Sequence, residues 1–145
     1  MLKKLALAGV IALAAMGSVS AQNDPIAQRK AILKGMGDAA KPVGGMLKGE
    51  VPFNLELVQA ALKSFSAGSK QLPALFPENS KTGGDTTAAP KIWEEKAKFD
   101  AIFAKLDTDA AGALAAIKDE ASLKANAGKV FGNCKACHDD YRIKK

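Results

Sequence analysis

The chain has 145 residues, enough for one domain with a buried core but not for two of ordinary size. Its 21 basic and 15 acidic residues give a net charge of +6, and aromatics are only 6% of it. No basic run is interleaved with aromatic side chains, which excludes the stacking groove of a nucleic-acid binder. Two cysteines cannot build the multi-bridge framework of a disulfide-stapled fold.

In chain order, Lys3 and Lys4 come first, followed by an apolar run from Leu5 to Met16 and a small-residue site at Val19-Ser20-Ala21. This is the pattern of a secretory signal peptide, too short to span a bilayer. Residues 1–21 are expected to be cleaved, leaving a single domain over 22–145 that starts at Gln22 and has no membrane span. The alternative is an uncleaved anchor. After cleavage 19 basic and 15 acidic residues remain, a net charge of +4. The excess is scattered except for Arg142, Lys144 and Lys145. It reads as solvated surface, with a field that can also steer an acidic partner.

The rest of the chain shows helical periodicity and no convincing strand pattern. The first helix is expected from about Asp24 to Leu47. Asp24-Pro25 forms an N-cap and N1 pair, and Ile26, Arg29, Ile32, Leu33 and Met36 share one face. Gly35, Gly37 and the Pro42-Val43-Gly44-Gly45 segment weaken it and predict a kink near Pro42. The second helix runs from about Asn54 to Lys70 on a stripe of Leu55, Val58, Leu62 and Phe65. A long irregular crossover from about Leu72 to Ala89 carries Pro73, Pro77, Gly83 and Gly84. The third helix begins near Pro90 and passes Leu106, with Ile92, Phe99, Phe103 and Leu106 on its apolar stripe. The fourth starts near Asp119 or Ser122, with Leu123, Ala127, Val130, Cys134 and Tyr141 on one side. Four amphipathic helices with one long connection predict an all-α, antiparallel four-helix bundle.

The fourth helix carries Cys134-Lys135-Ala136-Cys137-His138 near its end. These five residues hold both cysteines and the sole histidine of the chain. C-x-x-C-H is the attachment signature of c-type haem. Two thiols add to the vinyl groups of one haem edge, and the adjacent imidazole reaches the iron. At about 100° per residue, Cys134, Cys137 and His138 stay within roughly 100° of one another on a helix. A redox disulfide would need a C-x-x-C that opens a helix after a strand, and no strand precedes this one. Structural zinc needs a fourth ligand that the chain does not offer from Cys or His. An export signal agrees with haem attachment, which in bacteria takes place outside the cytoplasm, so the protein is expected in the periplasm with one covalent heme c.

The order of these features resembles the class II c-type cytochromes, and within them the cytochrome c′ family, over essentially the whole mature chain. Cys134 to Arg142 resembles the family's haem helix, with Tyr141 three residues after His138 and Arg142 four after it. Arg29-Lys30-Ala31-Ile32-Leu33 is similar to the R-x-x-x-(Leu or Met) segment of the first helix. Leu72-Pro73, Phe76-Pro77, Gly83-Gly84-Asp85 and Pro90-Lys91-Ile92-Trp93 resemble the loop into the third helix. The resemblance implies that Cys134 and Cys137 hold the haem by thioethers and that His138 is the proximal iron ligand. It implies that Arg29 lies near a haem propionate, where a guanidinium fork suits a carboxylate. It also implies that Arg142 sits beside His138 and tunes it. A C-terminal cation favourable to the helix dipole is the plainer reading of Arg142.

The sixth position of the iron separates the functional alternatives. One branch of the family has Met four residues after the Arg and is low-spin. Leu33 stands there in this chain and has no lone pair, which implies a five-coordinate haem with an apolar distal side. Such a pocket gives polar Fe–O₂ little help and suits NO and CO. The leading expectation is therefore a gas-binding haem protein, with electron transfer through the same iron and an unidentified redox partner. The alternative is a dedicated low-spin electron carrier with Met36 as sixth ligand. Met36 is one turn beyond Leu33, and its plainer reading is a core methionine. Met46, past the Pro42 break, is a weaker candidate. An enzyme such as a peroxidase ranks last, for want of a distal His and Arg pair. A homodimer through the first two helices is a further expectation, with Gly44, Gly45, Val51 and Phe53 as contacts.

Overall fold

The computed structural model describes residues 24–144, so the expected signal peptide and its cleavage site lie outside the described residues. Helix α1 spans Pro25–Lys48. Asp24 caps it, its Oδ1 accepting the Ile26 N–H at 2.8 Å, and Pro25 occupies the first turn, where no N–H is needed. Gly49 ends it at φ +74°, a left-handed conformation that costs glycine little, and donates to the Gly45 and Met46 carbonyls. Helix α1 continues through Pro42, the position of the expected kink. Proline removes one hydrogen bond there. Val43 and Met46 beyond it are buried in the core, and their packing holds the last turns.

Helix α2 spans Leu55–Gln71, capped by Asn54, whose Oδ1 accepts the Leu57 N–H at 3.0 Å. Two 3₁₀ turns follow, Leu72–Leu75 and Glu78–Ser80. The expected third helix proves to be two. A single turn, α3, spans Lys91–Glu94, and α4 spans Lys96–Ala116. The break falls at Glu95, at φ −122° and ψ 38°. There the Glu95 carboxylate accepts from the Tyr141 hydroxyl and the Lys98 ammonium, both at 3.0 Å. On α3, Trp93 Nε1 donates to the Phe76 carbonyl at 3.0 Å, so a tertiary bond ties this turn to the crossover. Helix α5 spans Glu120–Tyr141 and opens with a capping box. Asp119 Oδ1 accepts the Ser122 N–H at 2.8 Å, and Ser122 Oγ accepts the Asp119 N–H at 3.0 Å.

The four long helices form an antiparallel bundle, in which α2 packs on α1 and α4 and α4 packs on α5. Met36, Val43 and Met46 from α1 meet Val58, Leu62 and Phe65 from α2, Phe99, Phe103 and Leu106 from α4, and Leu123 and Val130 from α5. Burial of this apolar surface drives assembly. Helices α1 and α2 approach closely at Gly68, where a Cβ would come within 2.5 Å of the Met36 sulfur. Helices α1 and α5 touch only sparingly. The crossover is clasped to the end of α5: Ala89 N–H donates to the Tyr141 carbonyl at 2.9 Å, and Ile143 N–H to the Thr87 carbonyl at 2.8 Å. Ala88 and Arg142 form the bridge between these bonds.

Candidate haem site

A cavity of about 410 Å³ separates α1 from α5. Helix α1 contributes Arg29, Lys30, Leu33, Lys34 and Gly37, and α5 with its cap contributes Cys137, His138, Tyr141 and Arg142. Phe99 and Phe103 of α4 and Ile92 of α3 form an apolar wall, closed by Phe76 and Thr86 to Ala88 of the crossover. Phe99 is its hub, with ring edges on Phe76 at 4.7 Å, Phe103 at 5.1 Å and Tyr141 at 5.2 Å between centroids.

The helical spacing of C-x-x-C-H puts Cys137 and His138 on this wall. Cys134 lies one turn earlier, half-buried, and is not among the lining residues. Both thiols are free. Burial pushes both thiols upward, and Cys134 and Asp140 add to the effect at Cys137, which rises to about 11. His138 is held below its ordinary value, first by partial burial and then by Arg142, with Asp139 opposing. Its imidazole is accordingly neutral at neutral pH, the form that can bind a metal.

Arg29 is buried at one end of the cavity, with 2% of its surface exposed. It donates to the Leu75 carbonyl at 3.0 Å, the Ser80 hydroxyl at 2.8 Å, the Ser80 carbonyl at 2.9 Å and the Thr86 hydroxyl at 2.9 Å. Its guanidinium also lies over the Phe76 ring, 4.4 Å from the centroid. Burial lowers its pKa, partly offset by Asp24. Its protein hydrogen-bond partners are carbonyls and hydroxyls of the crossover.

Leu33 and Met36 diverge, although sequence periodicity puts them nearly on one face. Leu33 opens onto the cavity and is 38% exposed. Met36 is 7% exposed, packs against Gly68 and is not a lining residue. Met46, also in the core, is 2% exposed. The wall residues from the crossover, above all Thr86 to Ala88, carry no periodic signal, because Arg29 and the Arg142 clasp set their register. Gly37 also lines the cavity, and in sequence it reads only as a weak spot in a helix.

The residues fit a flat, apolar macrocycle with two carboxylates on one edge. The walls are aromatic and aliphatic, the Cys137 thiol and the His138 imidazole stand at one side with Cys134 one turn earlier, and Arg29, Lys30, Lys34 and Arg142 supply cations with no lining carboxylate. A helical bundle with C-x-x-C-H on its last helix defines the protein as a helical c-type cytochrome. A family model described as Cytochrome C′ matches residues 24–142. The chain is 60% identical over 144 residues to a cytochrome c′ of Rhodopseudomonas palustris, covering 98% of this chain and 99% of that one. A cytochrome c-556 of the same organism is 36% identical over 149 residues, covering 100% and 99%. A solved structure of cytochrome c′ from Rhodopseudomonas palustris superposes with a TM-score of 0.83 at 64% identity, over 86% of this chain and 99% of that one. A nitric oxide complex of a cytochrome c prime mutant from Alcaligenes xylosoxidans superposes with a TM-score of 0.70 at 26% identity, over 83% and 94%. The chain therefore belongs to the cytochrome c′ family. Members carry covalently bound c-type haem, and Cys134 and Cys137 are the two cysteines this chain has for it. Among the described residues no helix is long and apolar enough to cross a membrane.

Proposed function

We propose that this protein is an exported cytochrome that binds nitric oxide and carbon monoxide at a five-coordinate haem and passes electrons through the same iron. In this reading Cys134 and Cys137 hold the haem by thioethers and His138 is the iron ligand. Haem supplies an iron that binds small neutral ligands and changes oxidation state. The protein supplies the selection. Leu33 covers the face opposite His138 without offering a lone pair. Around it Phe99 and Phe103 present no hydrogen-bond donor, so a polar adduct gains little and a neutral diatomic loses little. The cationic rim takes the propionates, with Arg29 anchoring the crossover at that end. Arg142 stands close enough to lower the imidazole's proton affinity.

The observation that carries the reading is the divergence of Leu33, half-open on the cavity wall, from Met36, packed on Gly68. The nitric oxide complex of the Alcaligenes xylosoxidans relative supports the choice of ligand. Cleavage after Ala21 would deliver the chain to the periplasm with Gln22 first. There a redox partner with an acidic face and a homodimer through α1 and α2 are the expected associations. Exposed Val51 packs on Gly45 in the turn between those helices and supplies an apolar contact.

The test is the ferrous spectrum with and without carbon monoxide. A high-spin spectrum that shifts on adding the gas is expected. Leu33→Ala should speed carbon monoxide association by about tenfold, a barrier change near 1.4 kcal/mol. Leu33→Met should move the resting spectrum toward low spin. A low-spin protein that becomes high-spin only in Met36→Leu would instead make Met36 the ligand and the protein a dedicated electron carrier.

A further inference from the structure

Position 37 is where α1 reaches the cavity without a side chain. Helical Cα–Cβ bonds lean toward the N-terminus, so a residue covers the turn before its own. A side chain at 37 would therefore cover Leu33, four residues earlier and a neighbour on the helix surface. Both positions line the same cavity. A Cβ built at Gly37 meets no atom within 4 Å, so alanine would fit without displacing anything. Glycine is among the poorest helix formers, and this site has neither a positive φ nor a close helix contact to require it. Leu33, on the same cavity, is partly exposed, and no side chain at 37 stands over it.

We infer that Gly37 is a specificity-determining residue for ligand entry, leaving the space into which Leu33 turns when a small ligand takes the distal position. The inference rests on the gas-binding reading above. Leu33 cannot ligate, so it regulates by occupying space, and it can yield only if an adjacent volume is free. Residue 37 sets that volume. A larger side chain there would hold Leu33 in place, slowing small ligands and slowing bulkier ones more.

Gly35 supplies the control. It too is in α1 with no atom within 4 Å of a built Cβ, but it does not line the cavity. Alanine and leucine are placed at 35 and at 37 in the holoprotein, and association of carbon monoxide and methyl isocyanide with the ferrous form is timed. Gly37→Leu is expected to slow carbon monoxide by about tenfold and methyl isocyanide by more, with Gly37→Ala between it and the parent. The Gly35 variants should stay within about twofold. A second readout is the ¹³C shift of the Leu33 methyls in the diamagnetic carbon monoxide complex, which should collapse toward one rotamer in Gly37→Leu. Both alanine variants should raise the thermal midpoint, which separates slowed entry from lost stability. Unchanged rates and methyl shifts in Gly37→Leu would overturn the inference alone. Equal slowing by Gly35→Leu would overturn it too, because helix stiffness would then be the cause. A parent protein that takes up no carbon monoxide would overturn the functional reading with it.

Discussion

Tyr141 joins three parts of the site through one side chain. Its ring edge meets Phe99, its hydroxyl donates to Glu95 at the α3–α4 break, and its carbonyl accepts from Ala89 of the crossover. Burial, then the Glu95 carboxylate, push its pKa up to about 12. In the unfolded chain the phenol ionises near 10. Between these values the folded state binds more protons than the unfolded one, so stability falls as pH rises. The contribution is fully present below about pH 10 and is lost as pH passes the folded value near 12. Urea midpoints measured on either side of that window should fall less steeply with pH in Tyr141→Phe than in the parent. Arg29 is the other residue of this kind. The family resemblance implies a place for it near a haem carboxylate, and its bonds to Leu75, Ser80 and Thr86 make it the organiser of the crossover.

Helix α1 serves two surfaces within one turn. Leu33 and Gly37 lie on the cavity, while Met36 lies in the interface with α2. At 100° per residue, 33 and 36 are 60° apart, and that angle divides wall from core. Helix α5 separates its tasks by length instead. The capping box at Asp119 secures its start, and the C-x-x-C-H segment occupies its end. Asp119→Ala should therefore cost about 1 kcal/mol of stability, seen as a lower urea midpoint. The ferrous spectrum and carbon monoxide binding should be unchanged, because the cap is distant from the cavity. Asn133, buried between α4 and α5, adds a register bond to Asp109 at 2.7 Å. Asp109 is held below its ordinary value by its bonds to Lys105 and Asn133.

At the scale of the molecule, the bundle is complete on three sides and open on the fourth. The pairs α1–α2, α2–α4 and α4–α5 form continuous interfaces, and the cavity replaces most of the α1–α5 interface. Haem bound there would cover Leu33, which the polypeptide leaves 38% exposed, so cofactor and fold should stabilise one another. Intact-mass measurement of protein from the periplasmic fraction should give residues 22–145 plus one haem. Replacing both Cys134 and Cys137 with Ala should remove the haem mass and lower the thermal midpoint. Retention of Met1, or haem that survives denaturation in the double variant, would contradict this.

The sequence by itself determined the features that are local. The cap at Asp24 and the helix starts near Asn54 and Asp119 are legible because side-chain capping needs only neighbouring residues. The spacing of Cys134, Cys137 and His138 is equally local, and so is the apolar periodicity that makes the chain a helical bundle. Tertiary structure decided what depends on distant partners. Pro42 stays inside α1 because packing of Val43 and Met46 outweighs one missing hydrogen bond, a balance that no window of sequence contains. The break at Glu95 depends on Tyr141, 46 residues away. The separation of Leu33, on the cavity wall, from Met36, in the core, turns on Gly68 of another helix, which gives the Met36 sulfur its place. The walls formed by Thr86 to Ala88 are set by Arg29 and by the clasp at Arg142, because an irregular segment takes its register from whatever satisfies its backbone.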